Sequence, residues 1–291
     1  MKKSVLTYDL LLLLTSLIWG STFVAQRVGM DHIGPFTYNA VRFFIGPLSL
    51  VPLIARRWQK MPAEHKKAKP YLVSGVVAGI VVFTASTLQQ IGLVYTTAGN
   101  AGFITGFYVV LVPILGYFLG HSIGLSRWGA ALLALGGLYF LSVTDGLTMG
   151  KGDLYVLASS LFWALHIIVV DRGAAKLDAL IFSFIQFVLC GLFSLAGALI
   201  FETPTWPGIF DATIPILYGG ILSVGVAYTL QVVAQKHVPP AHAVIILSME
   251  GAFAALTGAL VLSEVLTLRQ LLGCGLMLAG MLLSQLSRRK E

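Results

Sequence analysis

The sequence has 291 residues, of which 57% are hydrophobic and only 11% charged, with a net charge of +7. Ordinary globular proteins carry roughly twice that share of charge, so a soluble surface cannot be built, and disordered, collagen-like, coiled-coil and disulfide-framework chains are excluded as well. The basic residues stand in short clusters between apolar runs, which is a membrane-orientation pattern rather than a nucleic-acid footprint.

A helix crosses the hydrocarbon core with about 20 mainly apolar residues. Ten such runs follow one another: Leu10–Val28, Pro35–Ala55, Tyr71–Tyr95, Ala98–Leu119, Trp128–Ser142, Asp153–Val170, Ala179–Phe201, Ile209–Ala234, Ala241–Leu262 and Leu268–Leu286. The fifth is the shortest. Alternation with period two over barrel-length strands is absent, so only helices can satisfy the backbone in lipid. The expected fold is an all-α polytopic membrane protein of ten transmembrane helices. The first run follows Lys2 and Lys3 as a signal peptide would. It ends in no small-x-small cleavage site and reads as an uncleaved first span.

Orientation follows from the short loops. Of the 19 Lys and Arg residues, all but Arg27, Arg42, Lys151 and Arg269 fall in segments on the same side as the N-terminus. That bias predicts both termini in the cytoplasm. The expected setting is a bacterial inner membrane.

The two halves match when one is slid onto the other. Thr15–Trp19 falls on Ser159–Trp163, Arg42 on Gln186, Leu88-Gln89 on Leu230-Gln231, and Tyr108 on Glu250. Five spans in each half make the second insert upside down. The charges agree, since the loop Arg56–Lys69 is basic and its counterpart Glu202–Asp211 holds no Lys or Arg. The expected organisation is an inverted 5+5 repeat, residues 1–147 and 148–291. Such repeats give two interchangeable access states around one central site.

Polar residues inside the runs mark that site. Glu250 is about 14 Å along its span, near the midplane, where an ionised carboxylate is costly and is functional by default. Arg42 lies about 10 Å below the opposite surface. With a core of about 30 Å the two come within roughly 6 Å in depth, so either an ion pair or a grip on a substrate anion is open to Arg42. Asn39 shares its helix face at i−3. Tyr228, Gln231 and Gln235 form one stripe. Gln89, Gln186, Tyr108 and His166 are further binding candidates or interhelical links. Trp19 and Trp163 occupy equivalent mid-span positions, away from the interfaces that Trp prefers, and are expected to face a shared cavity. Cys190 and Cys274 lie in apolar runs and read as inert. No disulfide, metal or cofactor is expected.

The chain resembles the EamA-like branch of the drug/metabolite transporter superfamily over nearly its whole length. The likeness rests on Ile18–Ala25, Asn39–Phe43, Tyr95–Phe103, Pro113, Ala164–His166 before Asp171-Arg172, Leu247–Glu250 and Ser263-Glu264. It departs at Gly251, where the family usually has Pro. The resemblance implies ten helices around a central cavity, and transport of amino acids, nucleosides, metabolites or drugs, in many members by export. Two roles stay open for Glu250, carrying a coupling proton or binding a cationic group, and lipid is the expected surroundings.

Other functions fit less well. Gly150–Asp153 spells an intramembrane aspartyl protease motif, and Tyr8-Asp9 its partner. A shared-proton dyad needs its carboxylates a few ångströms apart, whereas these start spans on opposite sides of the core. Serine-hydrolase, zinc and phosphate-loop motifs are absent. A non-transporting scaffold or sensor subunit is the remaining alternative, and its loops are short for a signalling domain.

Overall fold

The computed structural model describes residues 2–62, 68–120, 124–142, 150–175, 177–262 and 267–288. Every regular element among them is helical. The first half holds α1 (Lys2–Gly29), α2 (Pro35–Lys60), α3 (Ala68–Tyr95), α4 (Ala98–Thr105), α5 (Tyr108–Phe118) and α6 (Leu125–Ser142). The second holds α7 (Lys151–Ala174), α8 (Ala179–Phe201), α9 (Trp206–Asp211), α10 (Thr213–Leu217), a π-helical segment (Tyr218–Ala227), α11 (Tyr228–Gln235), α12 (Pro240–Leu247), α13 (Glu250–Leu262) and α14 (Leu268–Arg288).

Local chemistry sets the helix starts. Pro35 and Pro240 open α2 and α12, where a missing N–H costs nothing. Thr97 caps α4 through the N–H of Asn100, and Asp178 caps α8 through those of Leu180 and Ile181. The start of α2 is capped from another helix. Glu202, just past α8, accepts from the N–H groups of Phe36 and Thr37 and from the Thr37 hydroxyl. At the other end of the same helix pair, Arg57 meets Asp178 at 2.7 Å.

Eight helical runs among the described residues are long and apolar enough to cross a membrane. The fifth and tenth runs of the sequence fall on α6 and α14, whose apolar stretches are shorter. Two boundaries differ from expectation. Helix α1 begins at Lys2 rather than near Leu10, and the eighth run begins at Thr213, because Trp206–Asp211 is a separate short helix.

Helix pairings come in mates. Helix α3 packs on α7, and α1 packs on the π-helical segment and α11. Helix α7 packs on α4 and α5, and α1 on α12 and α13. Helices α2 and α8 pack together, as do α6 and α14. Each pairing is what the repeat-equivalent helices would make after a two-fold rotation.

Large apolar side chains cover the exterior, and the apolar core carries many buried polar residues. Leu48, Leu199, Ile200, Phe201, Leu260 and Leu268 are exposed, while Asn39, Arg42, Gln90, Gln186, His242 and Glu250 are buried. That arrangement suits lipid as the solvent. Buried hydroxyls answer it locally: Thr22, Ser159 and Ser160 donate to carbonyls one turn back.

Candidate functional site in the bundle centre

Each half supplies one bent span. Gly106-Phe107 separates α4 from α5, and Ser248-Met249 separates α12 from α13. The bends are tight turns, with Val109 N donating to Gly106 O at 3.0 Å and Gly251 N to Ser248 O at 3.2 Å. The second bend forms although Gly251 stands where proline is usual. Glycine loosens a helix enough for the turn. The first residue after each bend is Tyr108 or Glu250, and these two touch: Tyr108 Oη donates to Glu250 Oε1 at 2.6 Å.

A cavity opens beside this pair, walled by Trp19, Phe23, Gln26, Gln89, Thr105, Tyr108, Trp163, His166, Ile167, Ser223, Tyr228, Gln231 and Glu250. Eight residues singled out in the sequence therefore meet in one place: Trp19, Gln89, Tyr108, Trp163, His166, Tyr228, Gln231 and Glu250. Its room is about 30 Å³, enough for a water or two. A metabolite needs the helices to part.

Glycine permits the close crossing beside the cavity. Residue Gly20 of α1 lies against the bend of α13, and a Cβ there would stand 2.6 Å from the Glu250 carbonyl oxygen. That contact sets Trp19 next to Glu250.

A second layer holds the wall. The Trp163 indole N–H donates to Gln89 Oε1 at 2.7 Å, and Gln89 Nε2 donates to Gln26 Oε1 at 3.0 Å. An indole nitrogen is donor only, so it fixes which way the Gln89 amide points. Both ends of Gln89 are thereby occupied. His166 Nε2 lies 2.9 Å from Gln186 Oε1, so the Nε2–H tautomer donates to that amide. Gln186 thus backs His166 and does not line the cavity. Tyr228 packs at 4.6 Å from Trp19 and 5.8 Å from Trp163, with Phe43 and Phe187 behind it. Gln235, the third residue of its stripe, donates to the Ile167 carbonyl and ties two helices.

Arg42 and Asn39 stand apart from the cavity wall. Arg42 Nε donates to Asn39 Oδ1 at 2.9 Å, and the guanidinium lies over the Tyr38 and Phe43 rings at 5.3 and 4.9 Å. The ion pair between Arg42 and Glu250 that depth alone allowed is not formed. Depth does not fix rotation: α2 packs on α8 and the π-helical segment, whereas α13 packs on α1 and α4. Arg42 Nη2 and Asn39 Nδ2 are buried without a hydrogen-bond partner.

Both ends of the bundle carry a buried carboxylate at the start of a half. At the end where α1 begins, Asp9 meets His242 Nε2 at 3.1 Å, and His242 Nδ1 lies 2.7 Å from Ser284 Oγ. At the opposite end, Asp153 accepts from the Thr96 hydroxyl at 2.6 Å and from Gly150 N at 2.9 Å. Asp9 and Asp153 hold different partners at opposite ends, so the protease dyad is not assembled. No group of three or more His, Cys, Asp or Glu side chains among the described residues can hold a metal ion.

Phe23, Gln26, Thr105, Ile167 and Ser223 line the cavity without having been singled out. Phe23 and Gln26 follow Trp19 at i+4 and i+7, so the α1 stripe was readable. Thr105 lies one turn before Tyr108. Ser223 sits in the π-helical segment, whose wider turns defeat an α-periodic reading.

Comparison with known proteins agrees with this architecture. The model of the EamA-like transporter family matches twice, over residues 6–143 and 150–286. An uncharacterized transporter of Archaeoglobus fulgidus is 34% identical over 283 residues, covering 96% of this chain and 85% of its own. The uncharacterized transporter YoaV of Bacillus subtilis is 25% identical, covering 94% and 96%. The WAT1-related protein At3g02690, chloroplastic, of Arabidopsis thaliana is 26% identical, covering 91% and 66%. One solved crystal structure superposes with a TM-score of 0.78 at 19% identity, covering 98% of this chain and 99% of its own, a likeness of fold. The chain belongs to the EamA-like transporter family, within the drug/metabolite transporter superfamily.

Proposed function

We propose that this integral membrane protein is a secondary active transporter that moves a small organic solute by alternating access around the Glu250 cavity. The reading includes ten spans in two inverted halves, both termini in the cytoplasm of a bacterial inner membrane, and protons as the coupling ion. Outward transport rests on the family resemblance alone. The observation that carries the reading is the meeting of Tyr108 and Glu250, repeat-equivalent residues after two bent spans, at a cavity between the halves.

The chemistry of coupling follows from burial. A lone ionised carboxylate in that site is costly, so Glu250 holds either a proton or a positively charged partner in each state. An exchange between those two gives the two-state element that a ligand can bias. No nucleotide-binding motif appears in the sequence, so the drive is a gradient.

Proteoliposomes loaded with a mixture of cell metabolites and diluted into empty buffer test this reading. Mass spectrometry of the lumen should find at least one solute lost from protein-containing vesicles and retained in protein-free ones. Identical contents in the two would contradict transport and favour a scaffold or sensor role.

A further inference from the structure

We propose that the transported solute is an organic cation, its charged nitrogen seated between Glu250 and the rings of Trp19, Trp163 and Tyr228, with a hydroxyl or amide group nearby. This rests on the transport reading of the same cavity and narrows its substrate.

The sign of charge comes first. Among the described residues, Glu250 is the only carboxylate on the cavity wall, and no Lys or Arg lines it. Arg42 of α2 is clamped by Asn39, Tyr38 and Phe43 away from the wall. An anionic solute would enter a low-dielectric site with no cation to meet it, and would keep Glu250 from giving up its proton. A cationic solute takes the place of that proton and leaves the carboxylate paired.

The rings come second. Trp163 and Tyr228 lie nearly face to face, at 28° and 5.8 Å, and Trp19 meets Tyr228 at 57° and 4.6 Å. The three rings pack on one another and give the wall beside the carboxylate an aromatic side, whose π faces suit an alkylated ammonium once the helices part. The Gln89 amide holds Trp163 in this setting. A hard metal cation instead needs several oxygen ligands at once. The wall offers it one carboxylate, and the described residues contain no metal-binding group.

Two unmatched atoms come third. Trp19 Nε1 and Gln231 Oε1 belong to wall residues, and both are buried without a hydrogen-bond partner. One is a donor and the other an acceptor. A hydroxyl or amide on the solute satisfies both, which an unsubstituted tetraalkylammonium does not. Leaving such groups unmet is unfavourable, so their pairing favours a solute with this second feature.

The test uses three molecules of one shape and three charges. Choline, its neutral carbon isostere tert-butylethanol, and the anion of tert-butylacetic acid are titrated into purified protein, with binding read by tryptophan fluorescence and calorimetry. Choline should bind about tenfold more tightly than tert-butylethanol, and the anion most weakly. In Glu250→Gln, which keeps the shape and an acceptor for Tyr108, the preference for choline should fall to about twofold. The series on the unmodified protein decides the matter even if that variant does not fold. Equal or tighter binding of the neutral or anionic isostere, or no binding of choline at millimolar concentration, overturns the cation class. Release of a neutral or anionic solute from the loaded proteoliposomes would at the same time leave transport standing. Release of nothing would remove transport itself.

Discussion

Tyr108 and Glu250 stand 142 positions apart, each the first residue after the bend in its half, and are joined by a 2.6 Å hydrogen bond. The two halves therefore meet through the same position of the repeat, filled once by a phenol and once by a carboxylate. Tyr108→Phe removes the donor and leaves a buried acceptor unmet. Stability should fall by about 1–3 kcal/mol. Glu250→Gln keeps an acceptor and should cost less. Thermal unfolding of the two variants in detergent checks the order, and an undiminished Tyr108→Phe protein would show that the bond holds nothing.

Gly20 brings α1 against the α13 bend. Gly20→Ala places a methyl 2.6 Å from the Glu250 carbonyl oxygen and from Phe253 Cβ. Backbone cannot step aside as a flexible side chain does, so a loss of about 1–3 kcal/mol is expected. Gly99→Ala meets nothing within 4 Å and should leave the unfolding temperature unchanged or slightly raised. Equal effects of the two substitutions would contradict the crossing geometry.

Gln89 acts through its neighbours. Gln89→Leu deprives the Trp163 indole of its acceptor and Gln26 Oε1 of its donor. The expected cost is about 1–3 kcal/mol, with a shift in tryptophan emission as the Trp163 ring loses its anchor. Gln231→Leu should cost less, because Gln231 Oε1 already lacks a protein partner. Reversal of that order would mean that Gln89 is not the residue that positions the wall.

Much of this was legible in the sequence because the bilayer leaves few alternatives. Apolar runs of span length can only be helices, and the repeat match of Tyr108 to Glu250 required no structure. Midplane residues of high burial cost, Glu250, Trp19 and Trp163, were readable for the same reason. Rotation about the helix axis was not readable. Residue counting puts Arg42 and Glu250 at similar depth, yet α2 turns its Arg toward Tyr38 and Phe43. Gln186 looked like a site residue by repeat position and instead backs His166. Ser223 was hidden by the wide turns of Tyr218–Ala227, since its place on the wall follows no α-helical period.

The carboxylates at the two ends tie helices together. Asp9 with His242 holds α1 to α12 at one end, and Asp153 with Thr96 holds α7 to the end of α3 at the other. His242→Ala should loosen the first end, and Thr96→Val the second. Each change should expose the cavity to one side of the membrane and leave the other side as it was. Hydrogen exchange of the helix starts reports this, and loosening of both ends by either change would contradict separate ties.

Alternating access through the Glu250 cavity is tested most directly by a single cysteine on its wall. Ser223 is buried and lines the cavity, and Ser223→Cys is nearly isosteric. In a background where Cys190 and Cys274 are replaced by Ala, a membrane-impermeant maleimide is applied to right-side-out and to inverted vesicles. The cysteine should react slowly from both faces, faster from the cytoplasmic face with His242→Ala and faster from the outer face with Thr96→Val. Reaction from one face only, unchanged by either substitution, would contradict a site that opens to each side in turn.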